Sequence, residues 1–172
     1  MGGADRAVGS GEVTLRAPRI GDLSWLQLRH MQVMAPAYGW DLRYEAHVAH
    51  IVGGFLMQHD PARERFWIAE RDGQILGCVG LTRESGQRAR LRLLFVEPSA
   101  RGLGLGRRLV RTCLAFAREA GYAEVVLWTV SVLDAARRIY AEEGFEKIGA
   151  EASDLSAGMC DETWLLKLEP AR

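Results

Sequence analysis

Between Ala100 and Val110 the chain reads ARGLGLGRRLV, three glycines alternating with leucines and followed at once by two arginines. This segment comes directly after an apolar, strand-like run from Leu91 to Pro98. It opens into a helical pattern with Leu105, Leu109, Cys113, Phe116 and Ala120 on one face and Arg107, Arg108, Arg111 and Arg118 on the other. Glycine lets the backbone approach a ligand closely, and the first N–H groups of a helix have no intrahelical partners. A helix start of this kind binds anions, phosphates most naturally. Two phosphate motifs fail on spacing. A P-loop needs Lys and then Ser or Thr after its last glycine, where this chain has Arg107 and Arg108. A dinucleotide fingerprint needs glycine where Arg107 stands, which disfavours an NAD-dependent oxidoreductase.

What does fit is R-x-x-G-x-G, as Arg101, Gly104 and Gly106 with Gly102 in addition. Some forty residues on, LWTVSVLDAARRIYAEEGFEKIG (Leu127 to Gly149) leads from a strand into a helix that places Ala136 and Tyr140 on one face, before Gly144 and Phe145. On these two segments the chain resembles the GNAT acyltransferase superfamily, whose coenzyme A pyrophosphate loop has the first pattern. With YGWDLRYEA and DETWLLKL added, it looks most like the acetyltransferase domain that some bacterial proteins carry behind a MarR-type winged-helix regulator. That likeness covers about Tyr38 to Leu168, and the residues before Tyr38 are too few for the regulator.

The resemblance implies an α/β fold: a single GNAT-like domain with a mixed, mostly antiparallel sheet of about seven strands and helices on both faces. It implies transfer of an acetyl group from acetyl-CoA to a primary amine of a small molecule or protein, with coenzyme A as product. Cofactor binding falls to Leu94, Val96, Arg101, Gly102, Leu103, Gly104, Leu105, Gly106, Arg107, Leu133, Ala136 and Tyr140. By alignment to the family, the N–H of Leu94 polarises the thioester oxygen, Val96 pairs with the pantetheine like an added strand, and Tyr140 protonates the departing thiolate. Many members carry an asparagine where this chain has Leu133, so backbone groups, Ser131 or Asp134 must serve instead.

An acceptor ammonium with a pKa of ~10.4 is only about 1 in 2,500 deprotonated at neutral pH, so a base is required. Glu97 abuts the loop and is assigned that role, with Glu45, Glu84 and Glu162 as the other candidates. Tyr38, Trp40, Arg43, Glu45 and Glu162 are expected to frame the acceptor pocket. His47 and His50, lacking a third ligand at useful spacing, read as surface residues rather than a metal site. The rival reading is a catalytically weak GNAT-like module that binds an acyl-CoA and signals through a partner. Leu133 favours it and Tyr140 in register argues against it.

The elements that must position these residues are legible in outline. The 172 residues suit one domain, with 12–170 as the acetyltransferase unit behind a flexible leader at 1–11. Formal net charge is zero, which gives no field for nucleic acid, and no apolar stretch approaches the ~20 residues of a membrane span. Three widely spaced cysteines without a C-x-x-C pair point to buried thiols in a reducing compartment, hence a cytoplasmic protein. A short strand at 13–16 precedes a helix capped by Asp22 and ended by Pro36 and Gly39; a second helix starts at Asp41 and ends near His59. Strands at 66–70 and 75–82 flank a hairpin turn, and 88–96 forms the strand before the loop. After the helix ended by Gly121 come a strand at 124–130, a helix at 133–143 and strands near 145–149 and 163–168. The expected order is β-α-α-β-β-β-α-β-α-β-β. Many relatives pair as dimers, and Trp164 on the last strand is placed for such an interface.

Overall fold

The hairpin signal closes as a tight turn: Arg71 pairs with Gln74, and Asp72 and Gly73 both have positive φ, 50° and 75°. Those are the dihedral signs of a type I′ turn, which suits the twist of its two strands. The computed structural model describes residues 11–155 and 158–169, so the expected leader lies, Gly11 apart, outside the described residues. Seven strands form one sheet: β1 (Thr14–Arg16), β2 (Arg65–Arg71), β3 (Gln74–Arg83), β4 (Arg88–Val96), β5 (Glu124–Val130), β6 (Glu146–Ala152) and β7 (Cys160–Lys167). Their spatial order is β1-β2-β3-β4-β5-β7-β6. Every neighbouring pair is antiparallel except β4 with β5.

Helices cover both faces of the sheet. On one side α1 (Asp22–Arg29) and α3 (Leu42–Gln58) bury Leu23, Leu26, Val52 and Phe55 against Phe66, Ile68 and Phe95. On the other, α4 (Leu105–Glu119) and α5 (Asp134–Glu142) pack Leu109, Val110, Cys113 and Tyr140 against Val79, Val125 and Leu127. The amphipathic face read for α4 is the one it buries, and its arginines are exposed. No helix among the described residues is long and apolar enough to cross a membrane.

Several expectations need correction. Gly21, with φ 95°, is the residue that caps α1, while Asp22 is its first helical residue. The Asp22 carboxylate accepts bonds from the Arg19 N–H and from Arg16 Nη1, both at 2.6 Å. Pro36 does not stop the first helical run, which continues through α2 (Ala35–Tyr38) to Gly39 in the left-handed region. A π-type turn at His30–Met34 comes just before it and takes the backbone out of the i→i−4 pattern that a proline would break. Trp164 is in the core, 8% exposed, with its indole N–H donating to Glu162, so it offers no surface for a dimer. Cys78 and Cys113 are buried, but Cys160 is exposed.

Glycine in β3 is a packing requirement. A β-carbon on Gly80 would fall inside the fully buried Phe66 ring, and one on Gly77 would lie 2.5 Å from the Phe95 carbonyl oxygen. Gly54, inside α3, has nothing within 4 Å of that position. Gly80→Ala should therefore cost about 1–3 kcal/mol through overpacking. Gly54→Ala should stabilise the protein by about 0.4–1 kcal/mol by restricting the unfolded chain. Urea denaturation of the two variants beside the wild type checks the opposite signs.

Candidate active site

β4 and β5 run side by side only where Arg88–Arg90 face Glu124–Val126. Beyond Arg90 the strands part, leaving the β5-facing edge of β4 without a strand neighbour. At the same level β4 carries a bulge: Leu93 and Leu94 lie between the pairs Gly80–Arg92 and Cys78–Phe95, opposite Val79 alone. Leu93 has φ 49°, unusual for a residue with a side chain, and its carbonyl accepts a bond from the Cys78 thiol. The bulge re-aims the backbone of Leu94 at the gap.

The gap widens into a cavity of about 580 Å³. At one end stands the glycine loop. Gly102 and Gly104 are both left-handed, and α4 begins after Gly104 with no side-chain cap, so its first N–H groups remain available. Gly106 is packed so closely that a β-carbon would come within 2.9 Å of Ile139 Cδ1 on α5. The start of α5 is likewise uncapped, and Leu133 and Asp134 there line the cavity. At the other end the wall is aromatic: Tyr38, Trp40, Tyr44, His47 and Trp128. Trp40 lies against Tyr44 with ring centroids 4.3 Å apart, and His47 meets the edge of Trp128 at 5.6 Å.

The structure brings most of the expected cofactor residues together. Leu94, Val96, Arg101, Gly102, Gly104, Leu105, Gly106, Arg107, Leu133, Ala136 and Tyr140 all line the cavity. Leu103 does not; it is exposed on the outside of the loop. Arg101 turns back so that its Nε donates to the Val96 carbonyl, and Arg107 pairs with Glu142. Ser131 is engaged with the backbone N–H of Cys160. Tyr140 is 4% exposed, and burial, with a smaller contribution from Cys113, raises its pKa above the ordinary phenol value.

The carboxylates expected near the acceptor are elsewhere. Glu97 is held in a bidentate pair with Arg29, at 2.5 and 2.8 Å, off the cavity wall, which removes it as the base. Glu84 pairs with Arg90 at 2.6 Å. Glu162 is buried beneath Arg137, Lys147 and the Trp164 indole, and Glu45 is exposed on α3 away from the wall. Arg43 is paired with Asp41 and does not reach the cavity. Tyr38 and Trp40 are the only two of the expected acceptor residues on the wall, among the described residues.

In their place stand residues that sequence reasoning passed over. His30 is buried, its Nδ1 2.6 Å from the Tyr44 hydroxyl and its Nε2 without a partner among the described residues. Burial pulls its pKa down to about 4, so its ring is neutral at pH 7. His47 is exposed, as read from the sequence, and also borders the cavity against Trp128; burial of part of its ring first, then Arg92 and His50, lower its pKa. Tyr44, His47 and Ile51 all face the cavity and recur at helical spacing along α3, a signal that was there to use. Trp128, Thr129 and Arg92 had no local signal, because their exposure to the cavity exists only through the parting of β4 and β5.

The His30 shift makes a pH prediction. The unfolded imidazole, with a pKa near 6.5, binds a proton that the folded one refuses down to about 4. Stability from this site is therefore complete above pH 6.5 and falls by about 3 kcal/mol as pH drops to 4. His30→Gln, whose amide can still meet the Tyr44 hydroxyl, should flatten the unfolding free energy across that window in urea melts at stepped pH.

The model of the Acetyltransferase (GNAT) family matches residues 25–145. N-acetyltransferase 8 of Rattus norvegicus is 40% identical over 101 residues, which make up 56% of this chain and 46% of the rat protein. N-acetylaspartate synthetase of Danio rerio is 34% identical over 100 residues, 58% of this chain and 36% of that protein. The chain thus spans less than half the length of these curated relatives. The fold is shared with spermidine N-acetyltransferase from Vibrio cholerae, solved in complex with CoA and spermine. That structure has a TM-score of 0.69 at 20% identity, over 90% of this chain and 95% of that one.

Proposed function

Because this chain belongs to the Acetyltransferase (GNAT) family, we propose that it transfers an acetyl group from acetyl-CoA to the primary amine of an acceptor held at the aromatic end of the cavity. One observation carries the reading: a single cleft runs from an uncapped, glycine-built helix start, along the free edge of a bulged strand, to a buried tyrosine. The residues fit the proposed ligand. Orphan N–H groups and left-handed glycines at the start of α4 suit a pyrophosphate, and the β4 edge suits a chain bearing amides.

When bound, acetyl-CoA supplies the activated acetyl group as a thioester. The loop residues Gly102, Gly104, Leu105, Gly106 and Arg107 hold its phosphates, and Val96 offers it a strand edge. The N–H of Leu94, aimed by the bulge, donates to the acyl oxygen as negative charge grows there. Tyr140 lines the same cavity and is the residue placed to give a proton to the departing sulfur; burial raises its pKa, which opposes that transfer, so the geometry of the bound thioester must offset it. On the wall, among the described residues, the groups able to take the acceptor's proton at neutral pH are His30, His47 and Asp134. Burial holds the His30 pKa near 4, which opposes its taking a proton, and Asp134 is exposed beside Arg137. His47 is left as the proton acceptor, neutral at pH 7 because its pKa is lowered.

The names of the relatives do not point to one acceptor. An aspartate and a spermidine differ in sign of charge, and both are primary amines. A non-turning-over acyl-CoA sensor is the competing role for the same cleft, and Tyr140 separates the two.

Acetyl-CoA at a hundred times its dissociation constant should add about 2.7 kcal/mol of stability, read as a rise of several degrees in a thermal melt, while NADH should add nothing. No response to millimolar CoA would sink the enzyme reading. Tyr140→Phe should lower turnover ten-fold or more in a thiol-release assay with CoA binding nearly unchanged; an unaltered rate would remove Tyr140 as the acid. His47→Gln should slow turnover ten-fold or more at pH 7 and recover as pH climbs toward the acceptor's own pKa. A loss independent of pH would assign His47 to packing instead.

A further inference from the structure

Arg92 and Arg138 both line the cavity without work in the acetyl-transfer chemistry; Arg138 is exposed, whereas Arg92 is half-buried. It lies on β4 between Leu91, which faces the α4 side, and the bulge, and it lines the cavity with His47 and Trp128. Its side chain is half-buried, and its single hydrogen bond among the described residues is from Nε to Thr82 Oγ1 at 3.3 Å. It makes no ion pair among the described residues. Two residues earlier, Arg90 is matched by Glu84 at 2.6 Å, and the other ion-paired arginines of the frame have their carboxylates as well. A guanidinium in low-dielectric surroundings needs an anion, and its planar fork presents two parallel donors that match a carboxylate.

From this the geometry points to Arg92 as a carboxylate subsite of the acceptor pocket, so that the amine accepted is one that also carries a carboxylate and an apolar side chain, as an aromatic or large aliphatic amino acid does. The inference rests on the acetyltransferase reading and deepens it. The apolar part of such an acceptor has its surface in Trp40, Tyr44 and Trp128. The buried Trp40 indole N–H, without a partner among the described residues, is a further donor on that wall. A polyamine is disfavoured, because Arg92 would repel it and the carboxylate on the wall among the described residues, Asp134, is already paired with Arg137. Burial, and then repulsion from Arg90, pull the Arg92 pKa down to about 10 against the attraction of Glu84, whose carboxylate is engaged by Arg90.

N-acetyl-L-phenylalanine, a product of the proposed class, and its uncharged amide are the probes. Quenching of tryptophan fluorescence reads their binding, since Trp40 and Trp128 face the cavity. The acid should bind at least ten-fold more tightly than the amide. Arg92→Gln should erase the difference, and Arg92→Lys, which keeps the charge and loses the fork, should retain part of it. A CoA-dependent thermal shift in each variant certifies the fold and tests the enzyme reading separately. Equal binding of acid and amide, or binding of neither, in protein that responds to CoA would overturn the carboxylate subsite alone. Discrimination that survives Arg92→Gln would move the subsite to another residue and equally overturn it.

Discussion

The architecture depends on one incomplete pairing. β4 and β5 are the two parallel neighbours in an otherwise antiparallel sheet, and they share hydrogen bonds over three residues each before separating. Backbone polar groups inside a protein must find partners, so a parted pair of strands is stable only where a ligand, water or side chains complete it. The bulge at Leu93 and Leu94 is what bends β4 away, and it is held from behind by the Cys78 thiol on the Leu93 carbonyl. Behind it in turn lie Gly77 and Gly80, whose missing side chains make room for the Phe95 carbonyl and the Phe66 ring. A ligand channel is thus set by two glycines and a cysteine that never touch it.

Ion pairs pin the helices to the frame around the cavity. Arg16 ties Asp22 to Glu70, joining the start of α1 to β2; Arg29 ties α1 to Glu97 beyond the end of β4; Arg137 ties α5 to Glu162 on β7. Each pair links a helix to the sheet on one side of the gap. Removing one partner from the buried Glu162 cluster would leave a charge stranded, which costs more than the intact pair contributes. The cavity wall carries phenols, indoles and imidazoles beside several arginines, and its carboxylate among the described residues, Asp134, is paired with Arg137.

The sequence disclosed the fold well where local rules act. The turn at Asp72-Gly73, the glycine stops at Gly121 and Gly144, and the element order all followed from short-range chemistry, and strand limits shifted by a few residues at β6 and β7. Pro36 misled because a π-type turn upstream changed its context, which local propensity does not register. The residues expected at the cofactor end were legible in the sequence because they fall on two short segments, each with its own local pattern. The acceptor end was not, since it is assembled from α2, α3, β4 and β5. Of the carboxylates chosen by sequence position, Glu97, Glu84 and Glu162 hold arginines and Glu45 is exposed on α3, while Trp164 went to the core on β7, an interior strand.

That interior position has a consequence for the order in which the molecule can be made. β7 pairs with β5 along Glu124–Val130 and with β6 along Glu146–Ala152, so it is the plank between two strands that precede it in the chain. Until it arrives from the ribosome, β5 has an open edge on that side and β6 has no partner at all. The half of the sheet that carries α5 and Tyr140 must wait for a non-local insertion, whereas β2, β3 and β4 are joined by hairpins and can pair without it. Strand pairing thus leaves the tyrosine wall, unlike the strand before the glycine loop, dependent on the last strand of the chain.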